Sequence, residues 1–230
     1  MRLLGLIGGL SWESTRLYYD AINRAAAHRL GGLHSAEITI ASLDFAPIAL
    51  AQSEGRWGDA GAVMVRAAQS LERAGVDAIA IASNTMHKCA DAVTVAVDLP
   101  LLHIVDALSA ALNRDGRTRP LLLGTRFTME DDFVRARLSA AGIEAMIPEA
   151  ADRETVNRII YDELIKGDVR DESQAAYLEI IRRGAVAGAD GVILGCTEIG
   201  MIVNAGNSAL PVYDTMALHS EALVGFMLGE

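Results

Sequence analysis

An α/β fold of two similar lobes, each a mostly parallel sheet flanked by helices, is predicted by three features of the 230-residue chain. Short apolar runs alternate with helix-patterned stretches, the mark of parallel strands buried on both faces. Half of the chain (51%) is hydrophobic but only 5% aromatic, so Ala, Val, Ile and Leu supply the core, which suits a layered α/β protein better than a β-sandwich. Three segments also recur in the same order at offsets near 111 to 116 residues. "AGVDAIAIASNTMH" (Ala74–His87) returns as "AGADGVILGCTEIG" (Ala187–Gly200), "LGLIGGLS" (Leu4–Ser11) as "LLLGTRFT" (Leu121–Thr128), and "LPLLHIVDAL" (Leu99–Leu108) as "LPVYDTMALH" (Leu210–His219). One such match could arise by chance; three in order indicate a duplicated α/β unit, with a period too long for a solenoid.

The first half runs through its elements in turn. Leu3–Gly8 is an apolar strand closed by Gly8-Gly9, where a tight turn is expected. Glu13–Leu30 has a helical pattern that stops at Gly31-Gly32, and Glu37–Leu43 alternates like a strand. Trp57–Ala74 is an amphipathic helix ended by Gly75, and Ala78–Ala82 is a continuous apolar strand. The second half repeats the plan. Leu121–Gly124 is a strand, Glu130–Ala141 a helix ended by Gly142, and Ile143–Ile147 a strand. Helices are then expected over Asp152–Lys166 and Glu172–Ala187, before a strand at Gly191–Gly195.

Bulk properties exclude several classes. The net charge is −10, and no Lys/Arg stripe marks a nucleic-acid surface. Cys89 and Cys196 form no disulfide framework and no metal-type pair, which fits a reducing compartment. The opening "MRLLGLIGGLSW" is interrupted by glycines before it reaches the length of a signal-peptide core, and no run of about 20 apolar residues is present. A cytoplasmic protein with a small-molecule substrate is expected. Neither a Walker-type loop nor G-x-G-x-x-G spacing appears, so no cofactor and no metal are expected.

Parallel sheets place ligand sites at the carboxyl ends of their strands. The repeat sets Ser83 and Cys196 at equivalent strand ends, followed by "NTMHK" and "TEIG". Backbone N–H groups at the start of a helical stretch dock a carboxylate, aided here by Asn84, Thr85 and Thr197. The same environment lowers the pKa of a thiol. Cys196 is therefore expected to be an acidified base or nucleophile rather than an inert small hydrophobe, whereas Cys89, in an Ala/Val-rich stretch, reads as packing. Alone, Ser83 would read as a helix cap; the repeat raises it to a partner of Cys196. Two groups on opposite faces of one carbon, one removing a proton and the other delivering one, invert a stereocentre without metal or cofactor.

On these residues the chain resembles the cofactor-independent aspartate/glutamate racemase superfamily. The motifs are "GLIGGLSWEST" (Gly5–Thr15), "SNTMHK" (Ser83–Lys88), "LLGTRFTM" (Leu122–Met129), "GCTEIG" (Gly195–Gly200) and "LPVYDT" (Leu210–Thr215). The resemblance covers essentially the whole chain and is nearest to an aspartate racemase-like branch with a hydroxyl in place of the first catalytic cysteine. It implies lobes related by a pseudo-twofold axis with the active site between them. Their expected bounds are 1–98 plus 209–230, and 99–208. It also implies a homodimer and independence from pyridoxal phosphate. Cys196 matches the second catalytic cysteine, and Ser83 stands where the first is usual. Asn84, Thr85, Thr197 and Glu198 match the motifs that hold the substrate carboxylate; Ser11 and Thr125 match loops bordering the pocket. Gln52 stands where aspartate racemases usually carry an Arg for the side-chain carboxylate. The implied activity is racemisation of aspartate, glutamate or a related small polar amino acid, asymmetric because a serine is far less acidic than a thiol. Two readings stay open beside it: a single-cysteine malonate-type decarboxylase, and a binding protein that has lost turnover. His87 and Lys166 are left between structural and substrate-facing roles; His34 and His103 read as loop or packing residues.

Overall fold

The computed structural model describes residues 1–230. The chain divides into two compact units, Met1–Ile104 with His219–Glu230, and Val105–Leu218. No helix is long and apolar enough to cross a membrane.

The first unit contains β1 (Leu4–Gly8), α1 (Trp12–Leu30), β2 (Ile38–Ser42), α2 (Phe45–Ser53), α3 (Trp57–Arg73), β3 (Ala78–Ile81) and α4 (Ala90–Ala96). Its strands are parallel in the order β2-β1-β3, with Leu4 beside both Ile38 and Ala78. A single bridge from Ile79 to Leu101 adds a rung beyond β3. Every residue of β1 and β3 is buried, as expected of strands covered on both faces. Tyr18, Ile22 and Ala26 recur at helical spacing on the buried face of α1; Ala60, Met64, Ala67 and Leu71 do the same on α3.

The second unit holds α5 (Ile104–Arg114, entered from the first unit), β4 (Leu121–Gly124), α6 (Arg126–Glu130), α7 (Asp132–Ala140), α8 (Ala150–Asp162), α9 (Asp171–Val186), β5 (Val192–Gly195) and β6 (Val212–Asp214). It passes into α10 (Thr215–Leu228), which returns the chain to the first unit at His219. The order is β4-β5-β6, all parallel, with a bridge from Leu121 to Met146 on the outer side of β4. Counting the bridges as rungs, both sheets run second, first, third, fourth in chain order.

The repeated "AG-x-D" has a common job. In the first unit the Asp77 carboxylate accepts from the backbone N–H of Leu3 at 2.6 Å. In the second, Asp190 accepts from Thr118 N–H at 2.6 Å and Arg119 N–H at 3.0 Å. Each aspartate thus ties the entry of its third strand to the entry of its first, which fixes their register.

Two expectations are corrected and one element is added. Ile143–Ile147 is not a regular strand: it meets β4 at the single Met146–Leu121 bridge, with Glu144 and Met146 N–H donating to the Thr118 and Pro120 carbonyls just before β4, at 2.8 Å each. The helix expected over Glu130–Ala141 is two helices broken at Asp131, whose extended backbone (φ −77°, ψ 154°) ends α6 and caps α7. And α2 is an element the hydropathy pattern concealed. "FAPIALAQS" has no polar face, but the Asp44 carboxylate caps it by accepting from Ala46 N–H at 3.2 Å, and Pro47 falls in the first turn, where its missing N–H costs nothing.

Candidate active site

In the first unit, β1 and β3 are neighbours to Ile7↔Ile81, so Gly9–Ser11 and Ala82–Ser83 emerge side by side. Thr15 secures the first of these tips: its hydroxyl oxygen accepts from Gly9 N–H at 2.8 Å. Ser11 caps α1, its oxygen facing Ser14 N–H at 3.4 Å, and is the chain's one non-glycine residue with positive φ, 120°. A backbone held there is strained by roughly 1–3 kcal/mol, so the loop at the β1 tip is fixed against its intrinsic preference.

Ser83 is partly exposed at the β3 tip. Its Oγ lies 3.4 Å from Met86 N–H, and its carbonyl accepts from His87 Nδ1 at 2.7 Å. The chain continues into a five-residue 3₁₀ turn, Thr85–Cys89, rather than an α-helix. Asn84 is buried and Thr85 partly so. Gln52, on α2, is buried in the same unit, its amide nitrogen 2.9 Å from Met86 Sδ. Cys89 is buried in the core of this unit, and burial pushes its thiol upward.

In the second unit, Gly124 and Gly195 pair across β4 and β5. A Cβ on either would lie within 2.9 Å of a backbone carbonyl oxygen of the other strand, so glycine alone lets the two tips approach this closely. Thr125 follows β4, caps α6, and its Oγ1 lies 3.2 Å from that of Thr128. Cys196 follows β5 and opens the 3₁₀ turn Thr197–Met201. Its thiol donates to Glu198 Oε2 at 2.9 Å, and the Thr197 hydroxyl donates to the same oxygen at 2.6 Å.

This geometry reverses the expected acidity of Cys196. Cys196 keeps some exposed surface, but its packing against the core pushes the thiol well above the ordinary thiol range, and the Glu198 carboxylate, which repels a thiolate and accepts the thiol hydrogen, pushes it further. The Glu198 backbone N–H pulls the other way, as expected at a helix start, but one short 3₁₀ turn is outweighed by burial and a carboxylate. At rest Cys196 is a thiol with a proton acceptor attached. The consequence for stability has a definite sign: a group whose folded pKa is raised contributes fully below its unfolded value, about 8.5, and that contribution is lost as pH rises toward the folded value.

Glu198→Gln should therefore make Cys196 more reactive. Removing the charge leaves burial alone opposing ionisation, so the pH profile of alkylation by iodoacetamide moves to lower pH. At neutral pH we expect roughly a tenfold faster reaction. An unchanged profile in stopped-time mass spectrometry would mean that Glu198 does not control the thiol.

Sequence reasoning missed Tyr161, whose hydroxyl feels this thiol, and Arg126, which acts on Tyr161. The Tyr161 hydroxyl, on α8, is half-buried and is held above its usual range by burial first and then by Cys196 and Glu198, while Arg126 acts on it in the opposite sense. Arg126 follows Thr125 directly; its backbone N–H donates to Asn157 on α8 at 2.8 Å, one turn before Tyr161, and its side chain is exposed. The signal was the "TR" after β4, a cation one residue past a strand tip. Lys166 ends a 3₁₀ turn, Leu164–Lys166, that packs against Thr197–Met201, with Lys166 itself exposed. His34 is exposed, while His87 and His103 are buried.

Two parallel α/β units of one topology, with polar turns at their strand tips, define a class of enzyme scaffold for small ligands, and the comparisons with known proteins make it specific. Residues 7–223 match the Asp/Glu/hydantoin racemase family. The chain is similar to a Yersinia pestis protein assigned to the Asp/Glu racemases, at 47% identity over 99% of this chain and 100% of that one, with a TM-score of 0.94. It is likewise similar to PH1733, an aspartate racemase homologue from Pyrococcus horikoshii OT3, at 32% identity over 99% and 100% of the two chains, TM-score 0.86. The broad specificity amino-acid racemase RacX of Bacillus subtilis (strain 168) is 26% identical over 165 residues, 72% of this chain and 71% of that protein. The chain belongs to the Asp/Glu/hydantoin racemase family, whose amino-acid racemases are isomerases.

Proposed function

We propose that the chain racemises a small amino acid with an acidic or polar side chain, of the aspartate, glutamate or homoserine class, by moving the α-proton between Cys196 and Ser83 without a cofactor. The observation that carries the reading is the thiol of Cys196 donating to Glu198 at a strand tip. Glu198 takes the thiol proton, and the thiolate then breaks the Cα–H bond of one enantiomer and keeps that proton. The electron pair left on carbon delocalises into the substrate carboxylate, held by Asn84, Thr85 and Thr197 with Ser11 and Thr125 bordering it. The Ser83 hydroxyl delivers its proton to the opposite face; water then returns a proton to Ser83 as Glu198 releases the one it took, so the resting protonation states are restored with no net proton gained or lost.

The asymmetry comes from acidity. A hydroxyl can give up a proton to a carbanion but is a poor resting base, so the direction that begins at Cys196 is the faster one. The substrate class rests on charge. Gln52 is neutral and engaged with Met86, which argues against strict selection for a second carboxylate. Lys166 is an exposed cation on the turn that packs against Thr197–Met201, and Arg126 is an exposed cation that acts on Tyr161, which favours substrates carrying a second carboxylate. Similarity to RacX, a broad specificity racemase by description, agrees with a site that accepts more than one side chain.

The test is incubation of both enantiomers of aspartate, glutamate and homoserine in heavy water, followed by chiral chromatography and NMR at Cα. Expected is α-deuterium incorporation with inversion, unequal between enantiomers, and a Ser83→Cys variant in which the two directions differ less. Binding without deuterium incorporation into any of them would replace the reading with that of a binding protein.

A further inference from the structure

Three buried imidazoles of the first unit have no part in the proposed proton transfer: His87, His103 and His219. His87 and His103 meet edge to face with ring centroids 4.4 Å apart, and His219 stands 5.9 Å from His87. The hydrogen bonds of His87 and His219 fix their tautomers. The Nδ1 of His87 faces the Ser83 carbonyl at 2.7 Å, and a carbonyl can only accept, so Nδ1 carries the proton. The Nε2 of the same ring faces Ile104 N–H at 3.2 Å, and a backbone amide can only donate, so Nε2 is bare. His219 has the opposite tautomer: Nε2–H donates to the Leu102 carbonyl at 2.9 Å, and Nδ1 accepts from the Tyr18 hydroxyl at 3.0 Å.

The residues held by these rings are not arbitrary. Leu102 and Ile104 are the last turn of chain before it leaves the first unit, and His219 is the residue at which it returns. A single neutral ring, His87, therefore spans the residue carrying the hydroxyl and the amide that starts α5. With its carbonyl fixed, the Ser83 peptide plane is fixed, and with it the direction of the Cα–Cβ bond. This is a stronger restraint than the 3.4 Å contact from Met86 N–H to the hydroxyl itself.

We propose that His87 is the positioning residue for Ser83, holding the hydroxyl in line for proton delivery through a Nδ1–H tautomer anchored on the amide of Ile104. The proposal rests on the reading of Ser83 as the second proton carrier.

Two substitutions separate its halves. An asparagine amide nitrogen stands near the place of Nδ1, so His87→Asn keeps the donor to Ser83 and loses the acceptor for Ile104. A glutamine amide oxygen reaches the place of Nε2, so His87→Gln keeps the acceptor and loses the donor. Both are assayed in the full chain for inversion and for α-deuterium exchange with retention, which needs only Cys196, beside thermal unfolding. Misplacing a catalytic group by about 1 Å can cost on the order of a hundredfold. We expect His87→Gln to lose inversion by about thirtyfold and His87→Asn by about fivefold, with exchange and KM nearly unchanged in both. Equal losses of inversion in the two variants would overturn the proposal. So would a joint fall of inversion and exchange that tracks the unfolding midpoint, or loss of folding, since these mark a purely structural ring. Ser83→Ala is measured alongside: if it leaves inversion intact, the role of Ser83 itself has failed, and the positioning role with it.

Discussion

Cys196→Ala abolishes inversion in both directions and α-proton exchange in the enantiomer whose α-hydrogen faces the thiol, a loss of at least about 10³ in kcat/KM, because general acid–base groups contribute roughly 10²–10⁴ each and this one serves that enantiomer's first step. The alanine leaves the Glu198 carboxylate in place, still bonded to the Thr197 hydroxyl at 2.6 Å. A carboxylate cannot substitute: as a base it is several pKa units weaker than a thiolate. Cys196→Ser is the companion variant. Serine can make the same hydrogen bond to Glu198 and fills nearly the same volume, so packing against the second unit's core is kept. Its hydroxyl ionises far less readily than the thiol, and we expect nearly as deep a loss. If Cys196→Ser retained most of the exchange, the sulfur would be a packing atom. Residual exchange of that enantiomer in Cys196→Ala above the rate in water would assign the base to another group. Unfolding midpoints of both variants should stay close to that of the parent chain, since a partly exposed residue is being exchanged for a slightly smaller one.

Much of this site is legible in the chain itself. The repeated "AG-x-D" announces equivalent strand entries, and Asp77 and Asp190 perform the same backbone clamp. The apolar runs end where β3 and β5 end, which puts Ser83 and Cys196 at strand tips. The illegible part depends on side-chain pairings that have no period. A helix start, a backbone property, predicts an acidic Cys196. The outcome is decided instead by how the fold packs around the thiol and then by where the Glu198 carboxylate points, two residues on. α2 lacks an amphipathic signature because its first seven residues are apolar and its only polar ones, Gln52 and Ser53, sit together at its end, so only the Asp44 cap marks it. The imidazoles join residues from distant parts of the sequence, His87 to Ile104 and His219 to Tyr18. Each has an ordinary local environment, and the bond between them is a product of the fold. Arg126 stands in plain view within "GTRFT" but carries little signal, because an exposed Arg at a helix start is a common surface residue.

The second large effect concerns the turn that the sequence marks with Gly8-Gly9. Gly9→Ala should destabilise the first unit by about 3 kcal/mol or more, from two additive causes. A positive φ of 73° costs a residue with a Cβ roughly 1–2 kcal/mol. The added carbon would also lie 2.1 Å from the Leu43 carbonyl oxygen and 2.2 Å from its nitrogen. These are backbone atoms held by the Leu43 N–H to Gly8 carbonyl bond at 3.0 Å, so no side-chain rotation relieves the overlap. Either β1 and the loop after β2 separate, or the Gly9–Ser11 turn moves away from the β3 tip; overpacking of this kind adds typically 1–3 kcal/mol. Gly75→Ala isolates the first cause. Its φ is 77° and nothing lies within 4 Å of the added carbon, so its cost should stay near 1 kcal/mol. Chemical denaturation of the two variants measures the difference, which belongs to the backbone overlap alone. Because Ser11 lies on the displaced turn, Gly9→Ala should also raise KM under conditions where the variant is still folded, whereas Gly75→Ala, at the far end of α3, should leave KM unchanged. Equal unfolding free energies for the two variants would show that the turn yields freely. The close approach of Gly9 to Leu43 would then not be what sets the position of the loop.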